Sequence, residues 1–294
     1  MAEARRARRD RLEALGARLL YILFRLLPID AASALGGALA RLVGPRLGAS
    51  KRAVVNLRRA LPTLDEADIR RIVRGMWENL GRVVAEYPHL GEIDIFQAGG
   101  RVEIIDDAGV SRGHDPARSY IFFSAHYGNW EIAAIAATQA GFKITQVYRA
   151  PNNPIINGLL VNARGPSSGE LIRKGPKAAR RLIEAVAQGH ALAMLVDQKM
   201  NDGIAVPFFG RDAMTAPALA RLARRFDSIV VPARVERLDG ARFRLTCEAP
   251  LPVPHTGDAH ADILALMTTV NATVERWIRA DPAQWFWLHR RWPE

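Results

Sequence analysis

The sequence predicts an α/β fold: a single domain with a largely parallel central sheet flanked by helices, preceded by an N-terminal membrane-associating helical section. Three observations carry this expectation. Short apolar runs of strand length alternate with helical stretches of about 10–15 residues, the pattern of a covered parallel sheet. No Pro/Gly/Ser-rich linker or internal repeat divides the 294 residues, and 49% of them are apolar, enough for one substantial core. The net charge of +11 is gathered at one end: residues 1–60 hold thirteen Arg/Lys against Glu3, Asp10, Glu13 and Asp30. The boundary is accordingly drawn between a basic section, residues 1–60, and an α/β domain, residues 61–294.

In the basic section, Leu12 to Leu27 is apolar at 12, 15, 19, 20, 22, 23, 24, 26 and 27. Arg11, Arg18 and Arg25 recur every seven residues and so stack on one helix face. Such a helix reaches about 24 Å, short of the roughly 30 Å hydrocarbon core. The stretch therefore reads as a helix lying in a membrane interface, apolar side in lipid and arginines toward anionic headgroups. Two alternatives stand beside this reading. A secretory signal is suggested by Ala32-Ser33-Ala34 and opposed by the arginines inside the apolar run and by Asp30. The other is a plain buried helix of the soluble body.

Helical patterns follow at Ala31–Val43, Ser50–Ala60 and Asp65–Tyr87. Strands are expected at Val102–Asp106, Tyr120–Ala125, Lys143–Tyr148, Ala191–Val196, Ile229–Val235 and Phe243–Cys247. Helices are expected at Trp130–Ala140, Pro154–Ala163, Pro176–Gln188, Ala216–Phe226 and Ala259–Ala280. Composition narrows the chemistry. Cys247 is the single cysteine, so no internal disulfide forms. No Cys/His spacing suits zinc, and no glycine-rich phosphate loop or Gly-x-Ser-x-Gly elbow is present. Charge confined to one end also argues against a nucleic-acid-binding face on the body.

Chemistry concentrates where strands end. Tyr120 to Ala125 runs into His126, Gly128 and, five residues past the histidine, Glu131. Within one helix that spacing would separate the two by about 140°. Across a strand–turn–helix corner they can converge as a base and an orienting carboxylate. The alternative is a core histidine with Glu131 on a solvated face. Asn129 reads first as a helix cap and second as a substrate contact. Arg149, after the Lys143–Tyr148 strand, suits a phosphate or an oxyanion, its alternative being an ordinary solvated arginine; Arg164, ending a helix before Gly165-Pro166, suits the same roles, its alternative being a favourable charge at a helix end. Asp197-Gln198 closes another buried strand, and Val206-Pro-Phe-Phe-Gly210 with Thr215 reads as a shaped loop whose phenylalanines line an acyl slot or fill the core. With no protein nucleophile in sight, a thioester donor makes sense: it is already activated, and one base with an oxyanion site suffices.

At these residues the chain resembles the bacterial lipid A late acyltransferases, within the wider glycerolipid acyltransferase superfamily and its His-x-x-x-x-Asp/Glu motif. The matching elements are His126-Tyr-Gly-Asn-Trp-Glu131, Val147-Tyr-Arg149 with Asn153-Pro154, Asp197-Gln198, Val206-Pro-Phe-Phe-Gly210 with Thr215, Val231-Pro232, and Gln284-Trp-Phe-Trp-Leu-His-Arg-Arg-Trp292. The resemblance implies His126 as general base, Glu131 as its charge partner, and Asn129, Arg149, Arg164, Asp197, Gln198 and Thr215 around the substrates. It implies a fatty acyl chain on acyl carrier protein as donor, no metal or cofactor, and a hydroxyl of a lipid A precursor, an anionic glycolipid, as acceptor. The implied place is the cytoplasmic face of the inner membrane, among its lipids. Transfer to a glycosylated phospholipid, a non-enzymatic membrane scaffold and a nucleic-acid binder are the rival functions. The chain lacks the Glu-Gly-Thr-Arg phosphate motif of glycerolipid members, which argues against glycerol phosphate as acceptor.

Overall fold

The computed structural model describes residues 2–110, 115–165, 168–175 and 177–292. In chain order the helices are α1 (Ala2–Leu26), α2 (Ile29–Val43), α3 (Ala49–Ala60), α4 (Glu66–Glu86), α5 (Glu131–Gln139), α6 (Pro154–Arg164), α7 (Ala178–Ala187), α8 (Ala218–Phe226) and α9 (Ala259–Ala280). The strands are β1 (Val102–Asp106), β2 (Tyr120–Ser124), β3 (Ile144–Tyr148), β4 (Glu170–Arg173), β5 (Ala191–Leu195), β6 (Lys199–Phe208), β7 (Arg211–Thr215), β8 (Ile229–Asp239) and β9 (Arg242–Cys247). Seven strands form one sheet in the order β1-β9-β8-β2-β5-β3-β4, with only β8 and β9 antiparallel. The expected single α/β domain with a largely parallel sheet is present.

β2 shows why the sheet must be covered on both faces. Ile121 and Phe123 point into a core shared with α3, α4, α7, α8 and α9. Tyr120 and Phe122 point the other way, into a core shared with α5, β8 and β9. Period-two side chains that are all apolar require two hydrophobic layers, one on each side. From β2 the chain crosses by α5 to β3 on one side, while from β5 it continues to β8 on the other. Strand order therefore reverses at the β2/β5 pair, and the carboxyl ends of those two strands are where open α/β sheets place ligands.

The basic section packs onto this body through close helix contact. A Cβ on Gly36 of α2 would lie 2.6 Å from the Gly81 carbonyl oxygen of α4, and one on Gly81 would lie 2.2 Å from that of Gly36. The two backbones touch, so neither position tolerates a side chain. α3 buries Ala53, Leu57 and Ala60 in the main core. α1 is different. It leaves Leu12, Leu15, Leu19, Leu20, Ile22, Leu23 and Leu26 exposed, and α2 adds Leu35, Leu39 and Leu42. Arg11 and Arg18 are exposed, whereas Arg25 turns back to pair with Glu92. No described helix is long and apolar enough to cross a membrane.

Three strands were not foreseen. β4 is only four residues long, too short to show a period. β6 opens on Lys199-Met-Asn-Asp, which lacks a strand-like apolar signal, and pairs with β7 as a separate antiparallel ribbon. The expected loop at Val206–Gly210 is thus a hairpin whose two central residues, Phe209 and Gly210, both have positive φ. Phe209 bears that strain because its amide donates to Glu275 at 2.6 Å and its ring packs among Phe208, Trp287 and Trp292. Those phenylalanines are core. The predicted helix start at Pro176 and the break at Pro166 lie outside the described residues; α7 begins at Ala178.

Candidate active site

His126 follows the end of β2, and the chain then turns at Gly128, where φ is 57°. A Cβ there would lie 2.1 Å from the Val235 carbonyl oxygen, so only glycine fits this corner. β5, the neighbour of β2, delivers Asp197 and Gln198 to the same rim. Asp197 is 1% exposed and accepts three hydrogen bonds. His126 Nδ1 donates to Oδ1 at 2.8 Å, the His126 amide donates to Oδ2 at 2.9 Å, and Trp285 Nε1 donates to Oδ2 at 2.8 Å. The carboxylate can only accept, which places the imidazole proton on Nδ1. Burial alone pushes the Asp197 carboxyl up, but the His126 charge and hydrogen bonds outweigh it and hold the group well below the ordinary carboxylate value. Nε2 is left without a proton and accepts from the Gln198 amide nitrogen at 3.3 Å. Trp130, Phe286 and His289 wall the ring at centroid distances of 5.1, 6.2 and 4.8 Å.

The expectation that Glu131 is the charge partner of His126 is corrected by this geometry. Glu131 opens α5, and its buried carboxylate faces α6 and α4. Arg164 grips it with Nε to Oε2 at 2.8 Å and a terminal nitrogen to Oε1 at 2.6 Å, while the Tyr87 hydroxyl donates to Oε1 at 2.6 Å. Burial pushes the Glu131 carboxyl up, and the Arg164 charge with these donors brings it below its ordinary value. The same pair raises Arg164 despite its burial. Arg164 is therefore committed to Glu131. Between the two clusters stands Trp130, whose ring lies against His126 while its Nε1 donates to Glu131 Oε1 at 3.0 Å.

A family model described as bacterial lipid A biosynthesis acyltransferase matches residues 3–294. The chain belongs to that family. It is 24% identical over 242 residues to the lipid A biosynthesis lauroyltransferase of Escherichia coli (strain K12), covering 80% of this chain and 76% of that one. This protein is an acyltransferase of lipid A biosynthesis.

Around the acyltransferase rim, the remaining expected site residues divide. Gln198 borders the His126 ring. Arg149 is exposed just after β3 and makes no hydrogen bond or ion pair among the described residues. Asn129 and Thr215, expected as substrate contacts, are instead fully buried structural groups. Asn129 donates to Glu86 at 2.7 Å and accepts from the Glu131 amide at 3.3 Å, the cap-like alternative. Thr215 donates to the Ala213 carbonyl and accepts from Arg291 at 2.9 Å. Cys247 is buried, and burial with the nearby Asp106 charge pushes its thiol up to about 12, so it offers no thiolate.

His126, Asp197 and His289 bring three potential metal-ligating atoms within 4.8 Å of one another. Their hydrogen bonding fits a proton-transfer group better: both Asp197 oxygens already accept, and Nδ1 of His126 carries a proton. Sequence reasoning assigned no role to the segment holding Trp285, Phe286 and His289. Its backbone pairs with the corner, through Gly128 N–H to Gln284 O at 3.1 Å and Phe286 N–H to His126 O at 3.0 Å. The available signals were its place among the family-matching elements and its density of aromatic residues.

Proposed function

We propose that this acyltransferase moves a fatty acyl chain from an acyl-carrier-protein thioester to a hydroxyl of a lipid A precursor. His126 is the general base and Asp197 its charge partner. The observation that carries the reading is the 2.8 Å Nδ1–Asp197 hydrogen bond, which leaves Nε2 unprotonated at the strand-end rim, where an acceptor hydroxyl takes the place of its Gln198 partner. The acceptor hydroxyl gives its proton to Nε2 as its oxygen attacks the thioester carbonyl. The tetrahedral intermediate then collapses with cleavage of the C–S bond, and the imidazolium returns the proton to the departing thiolate. Asp197, ionised throughout, stabilises the imidazolium and keeps the tautomer correct. No cofactor is needed, since the thioester is already activated. Arg149 serves the acceptor phosphate or the developing oxyanion. General-base help is worth about 10²–10⁴-fold, so His126→Ala should lower kcat by that order in an assay with acyl-carrier donor and lipid A precursor. Unchanged turnover in that variant would remove the mechanism.

The place of action is the cytoplasmic face of the inner membrane. Support comes from the exposed leucines of α1 and α2 beside Arg11 and Arg18, a combination that suits an anionic bilayer surface. Replacing Leu15, Leu19 and Leu23 together by Ser should abolish cosedimentation with phosphatidylglycerol-containing vesicles and leave the melting temperature unchanged. Undiminished vesicle binding would reject α1 as the contact.

A further inference from the structure

Acyl transfer as described uses one imidazole, yet a second lies against it. The His289 ring stands 4.8 Å from that of His126 at an interplanar angle of 70°. Its placement is enforced from elsewhere in the fold. Asn56 of α3 donates to the backbone carbonyls of both Trp287, at 2.8 Å, and His289, at 2.7 Å. Arg52 of the same helix reaches the Leu288 carbonyl at 3.2 Å. Phe286 packs edge-on against the His289 ring at 4.6 Å. Nε2 of His289 is buried and has no hydrogen-bond partner among the described residues. A phenylalanine would fill this volume without leaving an unpaired polar atom, which is ordinarily costly. A nitrogen retained here therefore points to a use.

We propose that His289 is the positioning residue of the base: a neutral imidazole whose nitrogen holds the His126 ring with Nδ1 on Asp197 and Nε2 toward the substrate. This rests on His126 being the base. Asp197 holds Nδ1 and the Gln198 amide meets Nε2, which already tells the ring from the same ring turned over, while Trp130 and Phe286 are aromatic faces that add shape alone. His289 adds a further polar neighbour on this ring, with a nitrogen within 4.8 Å of ligating atoms of both His126 and Asp197. It must also stay uncharged, since a cation this close would oppose the imidazolium formed in the reaction. The charged and titratable groups acting on His289 are His126 after β2, Asp197 after β5 and Arg291 on its own segment. Burial first, then the His126 charge, outweigh the attraction of Asp197 and push His289 down to about 3, with Arg291 acting in the same direction. A neutral His289 thus leaves the proton taken from the substrate to His126 alone.

The test compares His289→Phe, which keeps a ring and removes the nitrogens, with His289→Gln, which restores a polar nitrogen on a flexible chain. Two readouts apply: kcat and KM for acyl transfer across pH, and the ¹⁵N ring shifts of His126 in histidine-labelled full-length protein, which report its tautomer without any turnover. The proposal expects His289→Phe to lower kcat by about tenfold or more, a part of the roughly 10²–10⁴-fold that general-base help supplies. It expects KM to stay within about twofold, the signature of an interaction lost from the transition state rather than from uniform binding. The His126 ring shifts should move and broaden as the ring loosens while Nδ1 stays protonated against Asp197, and His289→Gln should recover part of both effects. Wild-type kcat, or a lowered kcat with unchanged His126 shifts, overturns it. If His289→Phe does not fold, His289→Met against His289→Gln makes the same comparison. Failure of the general-base reading shows separately, as full activity in His126→Ala, while the shifts still decide the positioning.

Discussion

Replacing Asp197 by Asn is expected to lower kcat by about 10³–10⁴-fold while the protein stays folded, the scale on which a histidine held in the wrong tautomer fails. The hydrogen bonds at this position set the outcome. Oδ2 accepts from both the His126 amide and Trp285, so an asparagine must keep its single oxygen there. Its NH₂ then faces Nδ1 of His126. Two donors cannot share that contact, Nδ1 gives up its proton, and Nε2 becomes an N–H that can no longer act as base. Glu131→Gln should behave differently, with kcat within about tenfold of wild type, the lower end of what positioning losses cost. Its loss should fall on thermal stability, because Arg164 keeps its burial and loses its counter-charge. Steady-state kinetics on both variants decides this, and a deep loss in Glu131→Gln with near-normal Asp197→Asn would restore Glu131 to the histidine. A stability titration adds a second check. The Asp197 carboxyl is held below its ordinary value in the fold, so its contribution is complete above about pH 4, the unfolded aspartate value. That contribution is lost as pH falls below this, and the variant should lack that part of the acid transition.

Much of this arrangement was legible in the sequence, and the illegible part has a physical cause. The β2 run, the Gly128 breaker and the apolar runs of β3, β5, β8 and β9 are local patterns, so the sheet and the rim position of His126 followed from spacing. Which carboxylate meets His126 is set by strand neighbours. β5 lies beside β2 although 71 residues separate Asp197 from His126, and no local spacing encodes that adjacency. Glu131 was closer along the chain and lost to Asp197 because α5 begins at Glu131 itself and aims its carboxylate toward Arg164 and Tyr87. The roles of Trp285 and His289 were missed for the same reason: both act through contacts with residues far away in sequence.

Arg237→Met should destabilise the fold by about 3–5 kcal/mol, the usual cost of leaving one member of a buried ion pair unpaired. Arg237, on β8, and Glu86, at the end of α4, are 8% and 0% exposed at their side chains and meet at 2.5 Å and 2.9 Å through two nitrogens. Arg237 also donates to Asn79 and to the Gly240 carbonyl, and Glu86 accepts from Ser33 of α2 and from Asn129. Removal of the guanidinium leaves the carboxylate with neutral donors only, a deficit large against the 5–15 kcal/mol typical of a whole domain. Urea unfolding of the variant measures the deficit, and a change below about 1 kcal/mol would mean that those neutral donors suffice. Glu86→Leu combined with Arg237→Met should recover most of the stability, since two apolar groups leave no stranded charge. It should not recover full activity. Asn129 would lose its Glu86 anchor, and Asn129 holds the first amide of α5, next to the Trp130 that walls His126. A hydrophobic pair could hold α4 to β8 as firmly as this one does; what it could not do is fix the corner from which His126 is presented.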